Sequence, residues 1–208
     1  MTTATKKKSP WPAFDAGTKD GRRQRSGRSR RQIIEAMFEL LREGDMSPTA
    51  VAVAERADVG LRTVFRHFED MESIFEEMTD ELKSTFMPII TAPYEASTWR
   101  GQLDELVDRN TYVFENAFPM QVALVIRRFQ SDFLQQQYQS EVKLLRSGLK
   151  SILPQAAVEN RTLFAAIEVN LTFATWRRLR EDQNLSVQNA KAVLKLLLDS
   201  ILEGLDEE

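Results

Sequence analysis

The chain has 208 residues, of which 28 are basic and 31 acidic, so its formal net charge is −3. With 42% hydrophobic and 28% charged residues, its composition is that of a folded globular chain with room for one large or two small domains. The absence of cysteine excludes disulfides, thiolate metal sites and a cysteine nucleophile. No apolar run is long enough to cross a membrane, and no secretory signal is recognisable, so we expect a cytoplasmic protein without membrane contact.

The charge is divided unevenly along the chain. Residues 1–31 hold ten basic and two acidic residues, a net +8, whereas the remainder carries −11. Residues 1–27 are rich in Lys, Arg, Pro and Gly, which predicts a flexible basic arm. Such an arm either enters a DNA minor groove or serves as a solubilising tail. The asymmetry favours an anionic partner at this end, and we predict double-stranded DNA.

From Ser29 onward, hydrophobic residues recur at helical spacing. The first predicted helix ends at Gly44-Asp45, and Ser47-Pro48 resembles the start of a second one. Two short helices follow, residues 50–57 and 61–68, joined by the turn Asp58-Val59-Gly60. A longer helix is predicted from Met71 to Met87, stopped by Pro88.

Further helices are predicted near residues 98–116, 119–129, 131–152, 159–181 and 186–204. No segment alternates with the period of a strand. The predicted class is therefore all-α, with a three-helix head over residues 28–70 and a larger helical body over residues 71–208.

The two short helices and their turn have the pattern of a helix-turn-helix. Val64 and Phe68 lie on the inner face of the second helix, which leaves Leu61, Arg62 and Phe65 for base edges in a major groove. The residues predicted to contact phosphates are Arg28, Thr49, Gly60, Thr63, Arg66 and His67.

The segment from Val53 to Ile74 resembles the TetR family of bacterial transcriptional regulators. The positions that match the family pattern are Ala54, Ala57, Val59, Thr63, Val64, His67, Phe68 and Glu72. The resemblance covers residues 29–80 by motif and the rest by architecture alone. It implies a ligand-responsive, homodimeric repressor that binds a pseudo-palindromic operator.

Five positions depart from the family pattern. Asp58 replaces the turn glycine and is expected to adopt a left-handed backbone. Three polar phosphate contacts are lost where Gly60, Phe65 and Met71 stand in place of Ser, Tyr and Lys. Arg62 replaces a glycine, and we infer that it and the basic arm compensate for the lost contacts.

The resemblance also implies an effector pocket and a dimer interface in the body. The predicted pocket residues are Asn110, Phe114, Phe129, Phe133, Asn170, Phe173 and Trp176. The predicted interface residues, taken from two apolar helical stripes, are Phe164, Leu171, Leu194, Leu198 and Ile201. The same stripes also suit the core of one protomer.

No nucleophile–base pair and no metal-ligand spacing is recognisable, so we predict no enzyme activity, no metal and no cofactor, only a small-molecule effector of unknown identity. The alternative is a helical interaction module whose head docks a protein through Leu61, Phe65 and Met71 rather than a specific operator.

Overall fold

The computed structural model describes residues 21–203 and 205, and gives side chains from residue 27 onward. Within these residues every regular element is a helix, which confirms the all-α prediction. The chain divides into two compact units, the first ending at Glu81 and the second beginning at Leu82. The predicted arm lies largely outside the described residues.

The N-terminal unit contains helices α1 (Gly21–Arg42), α2 (Ala50–Arg56), α3 (Leu61–His67) and the first part of α4 (Met71–Ile90). Its core combines residues of all four helices. Fully buried are Ile33, Met37, Leu41, Val53, Ile74, Phe75 and Met78. The head therefore extends beyond residue 70, because α4 supplies the apolar face against which the first three helices close.

Two predicted boundaries in this unit are wrong, and so is the predicted end of α4. Helix α1 begins at Gly21 rather than Ser29, since the arginines and the glutamine ahead of Ser29 favour a helix. The N-cap of α2 is Thr49 rather than Ser47, because Thr49 Oγ1 accepts the Ala52 amide at 3.2 Å. Helix α4 continues through Pro88 to Ile90.

The C-terminal unit contains α5 (Trp99–Asn116), α6 (Phe118–Arg127), α7 (Asp132–Ile152), α8 (Gln155–Glu159), α9 (Arg161–Asn170), α10 (Phe173–Arg177) and α11 (Val187–Ile201). A π-helical turn, Arg178–Asp182, follows α10. One core joins α5, α7, α9, α10 and α11, with Val107, Leu149, Ile167 and Trp176 completely buried.

The single helix predicted over residues 159–181 is wrong. Asn160 Oδ1 accepts the Leu163 amide at 3.1 Å and starts α9, and Thr172 Oγ1 accepts the Thr175 amide at 3.3 Å and starts α10. Polar side chains that cap a new helix thus divide a segment whose hydrophobic spacing is continuous.

The segment between α4 and α5 is held by two side chains of α5. Glu105 Oε1 accepts the backbone amides of Ala96 at 2.6 Å and Glu95 at 3.1 Å. Arg109 donates to the Pro93 carbonyl at 2.7 Å, and its guanidinium lies 4.4 Å from the centre of the Tyr94 ring. These contacts fix the backbone that follows α4.

Candidate nucleic-acid interface and effector site

The turn between α2 and α3 is a Schellman motif with aspartate in the position usually held by glycine. Asp58 has a φ of 53°, the Val59 amide donates to the Ala54 carbonyl at 3.0 Å, and the Asp58 amide donates to Glu55 at 3.2 Å. The expected left-handed backbone at Asp58 is confirmed. The turn leads directly from α2 into α3.

Helix α3 separates buried from exposed side chains as the spacing predicts. Val64 and Phe68 are 1% and 2% exposed, whereas Leu61 is 41% and Phe65 51% exposed. Arg62 and Arg66 are also exposed. Two apolar side chains and two cations on one open helix face form a surface that suits base edges and phosphates.

The predicted phosphate ligands at the ends of these helices differ in access. Thr49 uses its hydroxyl oxygen to cap α2, which leaves the hydroxyl proton available to a phosphate. Gly60 and Arg28 are exposed, and Thr63 is half-buried one turn into α3. Contact with DNA at these positions stays a prediction.

His67, at the end of α3, is half-buried. Its Nε2 is enclosed and has no hydrogen-bond partner among the described residues. Burial lowers the pKa of the imidazole, and the nearby Arg66 and Arg30 lower the pKa further, so the ring is neutral at pH 7. The predicted phosphate contact of His67 stays a prediction, and the enclosed Nε2 is not open to it in this structure.

Arg30 has a role that the sequence analysis missed. Its Nε donates to Glu77 Oε1 at 2.9 Å, its Nη1 donates to the His67 carbonyl at 2.6 Å, and its guanidinium lies 4.3 Å from the centre of the Phe68 ring. Arg30 therefore ties α1 to the end of α3 and to α4. Its position one turn before Ile33 and Ile34, on the inner face of α1, was the available signal.

The N-terminal unit is not cationic as a whole. Residues 1–68 carry a net +6, but residues 69–81, which belong to the same unit, add seven acidic residues and no basic one. The positive charge is therefore a local feature of α1, α3 and the segment ahead of them. Any attraction to an anion is directed to that part of the unit.

In the C-terminal unit, the structure brings together only part of the predicted pocket. The Phe173 ring meets Phe114 edge-to-face at a centroid distance of 5.7 Å and Phe118, which was not predicted, at 5.3 Å. Phe129 is not part of this cluster: it is 75% exposed, with Arg128 4.4 Å from its ring centre. Phe133 is half-buried on α7.

The remaining predicted pocket residues are buried side chains that each carry a hydrogen-bonding group. Asn110 and Asn170 are 8% and 9% exposed, and Asn170 Nδ2 donates to the Ala166 carbonyl at 2.9 Å. Trp176 is completely buried, and its Nε1 has no hydrogen-bond acceptor within the described part of the chain. A buried donor without a partner costs about 1–3 kcal/mol, so it calls for an explanation.

Four of the five predicted interface residues are unavailable to a second copy. Phe164, Leu171, Leu194 and Leu198 are between 1% and 4% exposed in a single protomer, where they form its core. The same two helices expose other apolar residues instead, namely Ala165 and Val169 on α9 and Ala192, Leu196 and Leu197 on α11. The spacing located both stripes but did not tell the inner from the outer face.

Comparisons with known proteins agree with this architecture. Residues 33–78 match the family model of bacterial regulatory proteins, tetR family. The fold is similar to the crystal structure of a transcriptional regulator from Rhodococcus sp. Rha1, with a TM-score of 0.64, 15% identity, and coverage of 86% of this chain and 96% of that chain. At this identity the likeness concerns the fold. None of the curated proteins matches the sequence.

The matched residues 33–78 include all of α2 and α3, the α1 core positions, and the part of α4 that closes the head. Among the residues that the structure describes, no helix is both long and apolar enough to cross a membrane. Residues 33–78 are therefore similar to the tetR family of bacterial regulatory proteins.

Proposed function

We propose that the protein is a cytoplasmic, homodimeric repressor that releases or engages a pseudo-palindromic operator in response to a small molecule. The observation that carries the proposal is the open face of α3, where Leu61, Arg62 and Phe65 are exposed while Val64 and Phe68 anchor the helix. Each protomer inserts this face into one major groove, with half-sites about 34–36 Å or a multiple of that distance apart.

Within that face the roles differ by chemistry. The Arg62 guanidinium suits the O6 and N7 atoms of guanine, and Leu61 and Phe65 suit thymine methyl groups. Arg66, Thr63, Thr49 and the exposed Arg28 suit phosphates, which position the protein without reading sequence.

Dimerisation is supported by the apolar residues that α9 and α11 leave exposed. Val169 is 61% exposed, Leu196 65% and Leu197 41%, with the small residues Ala165 and Ala192 beside them. Small residues allow helices to approach closely, and two helices from each protomer would form a four-helix interface. Replacing Leu196 with Lys should shift the protein toward monomers in sedimentation experiments.

Ligand response is proposed to act through α4, which begins in the head and continues into the C-terminal unit. A ligand that prefers one arrangement of the body shifts the position of α4 and hence the spacing of two heads. The coupling equals the difference in ligand affinity between the two arrangements.

The test is an electrophoretic shift assay on the DNA upstream of the gene for this chain. Arg62→Ala should weaken operator binding by about 1–3 kcal/mol and relax specificity at one base pair. Lys150→Ala, which removes an exposed cation of α7, is the matched control and should leave binding unchanged. If Arg62→Ala weakens binding equally on all DNA sequences, then Arg62 binds phosphate rather than a base.

The exposed Leu61 and Phe65 also suit a protein partner. A head that docks a protein would show only salt-sensitive binding that is the same for upstream and scrambled DNA. Specific binding should instead retain a preference for upstream DNA as salt is raised, with a slope of about −0.9 in log K against log salt for each phosphate contact.

A further inference from the structure

The core around α10 contains an indole N–H donor that has no acceptor among the described residues. Trp176 Nε1 is enclosed and without an acceptor in the described chain, although Trp176 is completely buried. A buried indole N–H normally finds an acceptor. A bound molecule with a hydrogen-bond acceptor would satisfy this donor.

Aromatic rings lie on the same face of α10 as this donor. Phe173 is one turn before Trp176, and its ring packs edge-to-face against Phe114 and Phe118 at 5.7 and 5.3 Å. All three rings are half-buried, whereas Trp176 is completely buried. A flat aromatic molecule can extend such a cluster with the edge-to-face or offset geometry that these rings prefer.

Asparagine side chains add polarity to the neighbouring positions. Asn110 is one turn before Phe114 on α5, and Asn170 ends α9 three residues before Phe173. Both are more than nine-tenths buried. Since the Asn170 amide nitrogen already donates to Ala166, its oxygen remains as an acceptor.

The helix that carries Trp176 is irregular at both ends. It is separated from α9 at Leu171-Thr172, where Thr175 Oγ1 donates to the Val169 carbonyl at 2.5 Å. It continues into the π-helical turn Arg178–Asp182, in which the Gln183 amide donates to the Arg178 carbonyl at 3.1 Å. π-Helical turns occur frequently at functional sites.

The charges beside this site are already paired. Arg180 donates through Nε and Nη2 to the two carboxylate oxygens of Glu115 at 3.0 and 2.8 Å. Glu115 follows Phe114 along the chain, so the opposite charges of Glu115 and Arg180 neutralise each other next to this ring. Burying an ionised ligand here would be costly.

We propose that this site binds a neutral, planar aromatic compound that carries a hydrogen-bond acceptor such as a ketone oxygen, and that Trp176 Nε1 donates to that acceptor. The inference rests on the proposed ligand response and specifies its ligand class. The aromatic body packs against Phe114, Phe118 and Phe173.

The experiment is equilibrium dialysis of the full chain, without DNA, against 2-acetylnaphthalene, naphthalene and 2-naphthoate. The ketone should bind about tenfold more tightly than naphthalene, equivalent to about 1.4 kcal/mol, and the anion should bind least. Trp176→Phe should remove the preference for the ketone and leave naphthalene binding unchanged.

Trp99→Phe is the matched control, because Trp99 is a nearly buried tryptophan of the same core whose Nε1 also has no partner among the described residues. It should retain the tenfold preference. Phe173→Leu should weaken both neutral probes while keeping their ratio, which tests the site even if Trp176→Phe does not fold.

Equal binding of ketone and naphthalene by the unmodified protein, preferential binding of the anion, or no binding of any probe would overturn the ligand class. So would an equal effect of Trp99→Phe and Trp176→Phe. A ketone that binds with the expected preference but leaves the operator complex unchanged would count against the proposed regulation and not against this site.

Discussion

The two units carry their functional groups in opposite ways. In the N-terminal unit the proposed contacts are exposed on α3 and are supported by a buried core beneath them, whereas in the C-terminal unit the proposed ligand contacts lie within the core itself. A surface site depends on which side of one helix faces outward. An internal site depends on how several helices pack, so it is defined only by the tertiary structure.

The largest expected effect is on the free energy of unfolding, and it distinguishes the buried Phe68 from the exposed Phe65. Phe68→Ala should destabilise the N-terminal unit by about 3–5 kcal/mol, because it leaves a cavity where a ring is 2% exposed. Phe65→Ala should change the free energy of unfolding by less than about 0.5 kcal/mol but weaken operator binding. Chemical denaturation and shift assays would measure the two effects. Equal destabilisation by both changes would contradict the division of α3 into two faces.

A smaller effect is expected from the two arginines of α1. Arg30→Met should cost about 1–2 kcal/mol, since it breaks the partly exposed pair with Glu77 and the bond to the His67 carbonyl. Arg28→Met should leave stability unchanged and reduce the salt dependence of DNA binding by one phosphate contact. Thermal unfolding and salt titration would measure the difference. If Arg28→Met destabilises the unit as much as Arg30→Met, then the assignment of Arg30 to stability and of Arg28 to DNA contact is wrong.

Each unit has a left-handed residue that is not glycine, and this allows a direct comparison. Asp58 has a φ of 53° and Asn184 a φ of 51°. Asp58→Gly should stabilise the head and Asn184→Gly the body, each by no more than about 1 kcal/mol, since glycine adopts this conformation without strain but loses more entropy on folding. Denaturation monitored separately for each unit would measure the gains. A matching loss from Asp58→Gly would mean that the carboxylate has a further role.

The smallest expected effect is on the stability of the C-terminal unit at low pH. The hydrogen bond from the Ala96 amide lowers the pKa of Glu105 below its ordinary value, with smaller contributions from the Glu95 amide and from Arg109. A lowered folded-state pKa stabilises the body above the unfolded-state pKa, and this contribution is lost as the pH falls through the folded-state pKa. Glu105→Gln should therefore flatten the decline of body stability in acid, as followed by thermal unfolding between pH 6 and about pH 3. An unchanged decline would show that other carboxylates dominate.

In the head, Glu81 behaves in the opposite sense. Burial raises its pKa, and the neighbouring carboxylates of Glu77 and Glu35 raise it further. A raised folded-state pKa means that ionisation weakens the fold as the pH rises, so this group is least costly in acid. Acidification therefore acts through Glu81 and Glu105 with opposite signs in the two units.

The sequence by itself determined the helical class, the helix-turn-helix, the left-handed turn at Asp58, and which residues of α3 face outward. These features depend on interactions within a few residues, which hydrophobic spacing and turn chemistry record directly. The closely spaced rings of Phe114 and Phe173 were also found, although Phe118 was missed and Phe129 was wrongly included.

Only the tertiary structure decided which apolar stripe is core and which is free, because Leu194 and Leu196 have the same chemistry and differ only in what packs against them. It also placed the basic residue Arg30 of α1 in contact with the end of α3 and with α4, and it divided the 159–181 segment through the caps at Asn160 and Thr172. Each of these depends on groups that are distant in sequence or on side-chain geometry, and local patterns do not encode either. The net charge of −3 does not predict whether the protein attracts an anion. That attraction depends on where folding places the basic side chains.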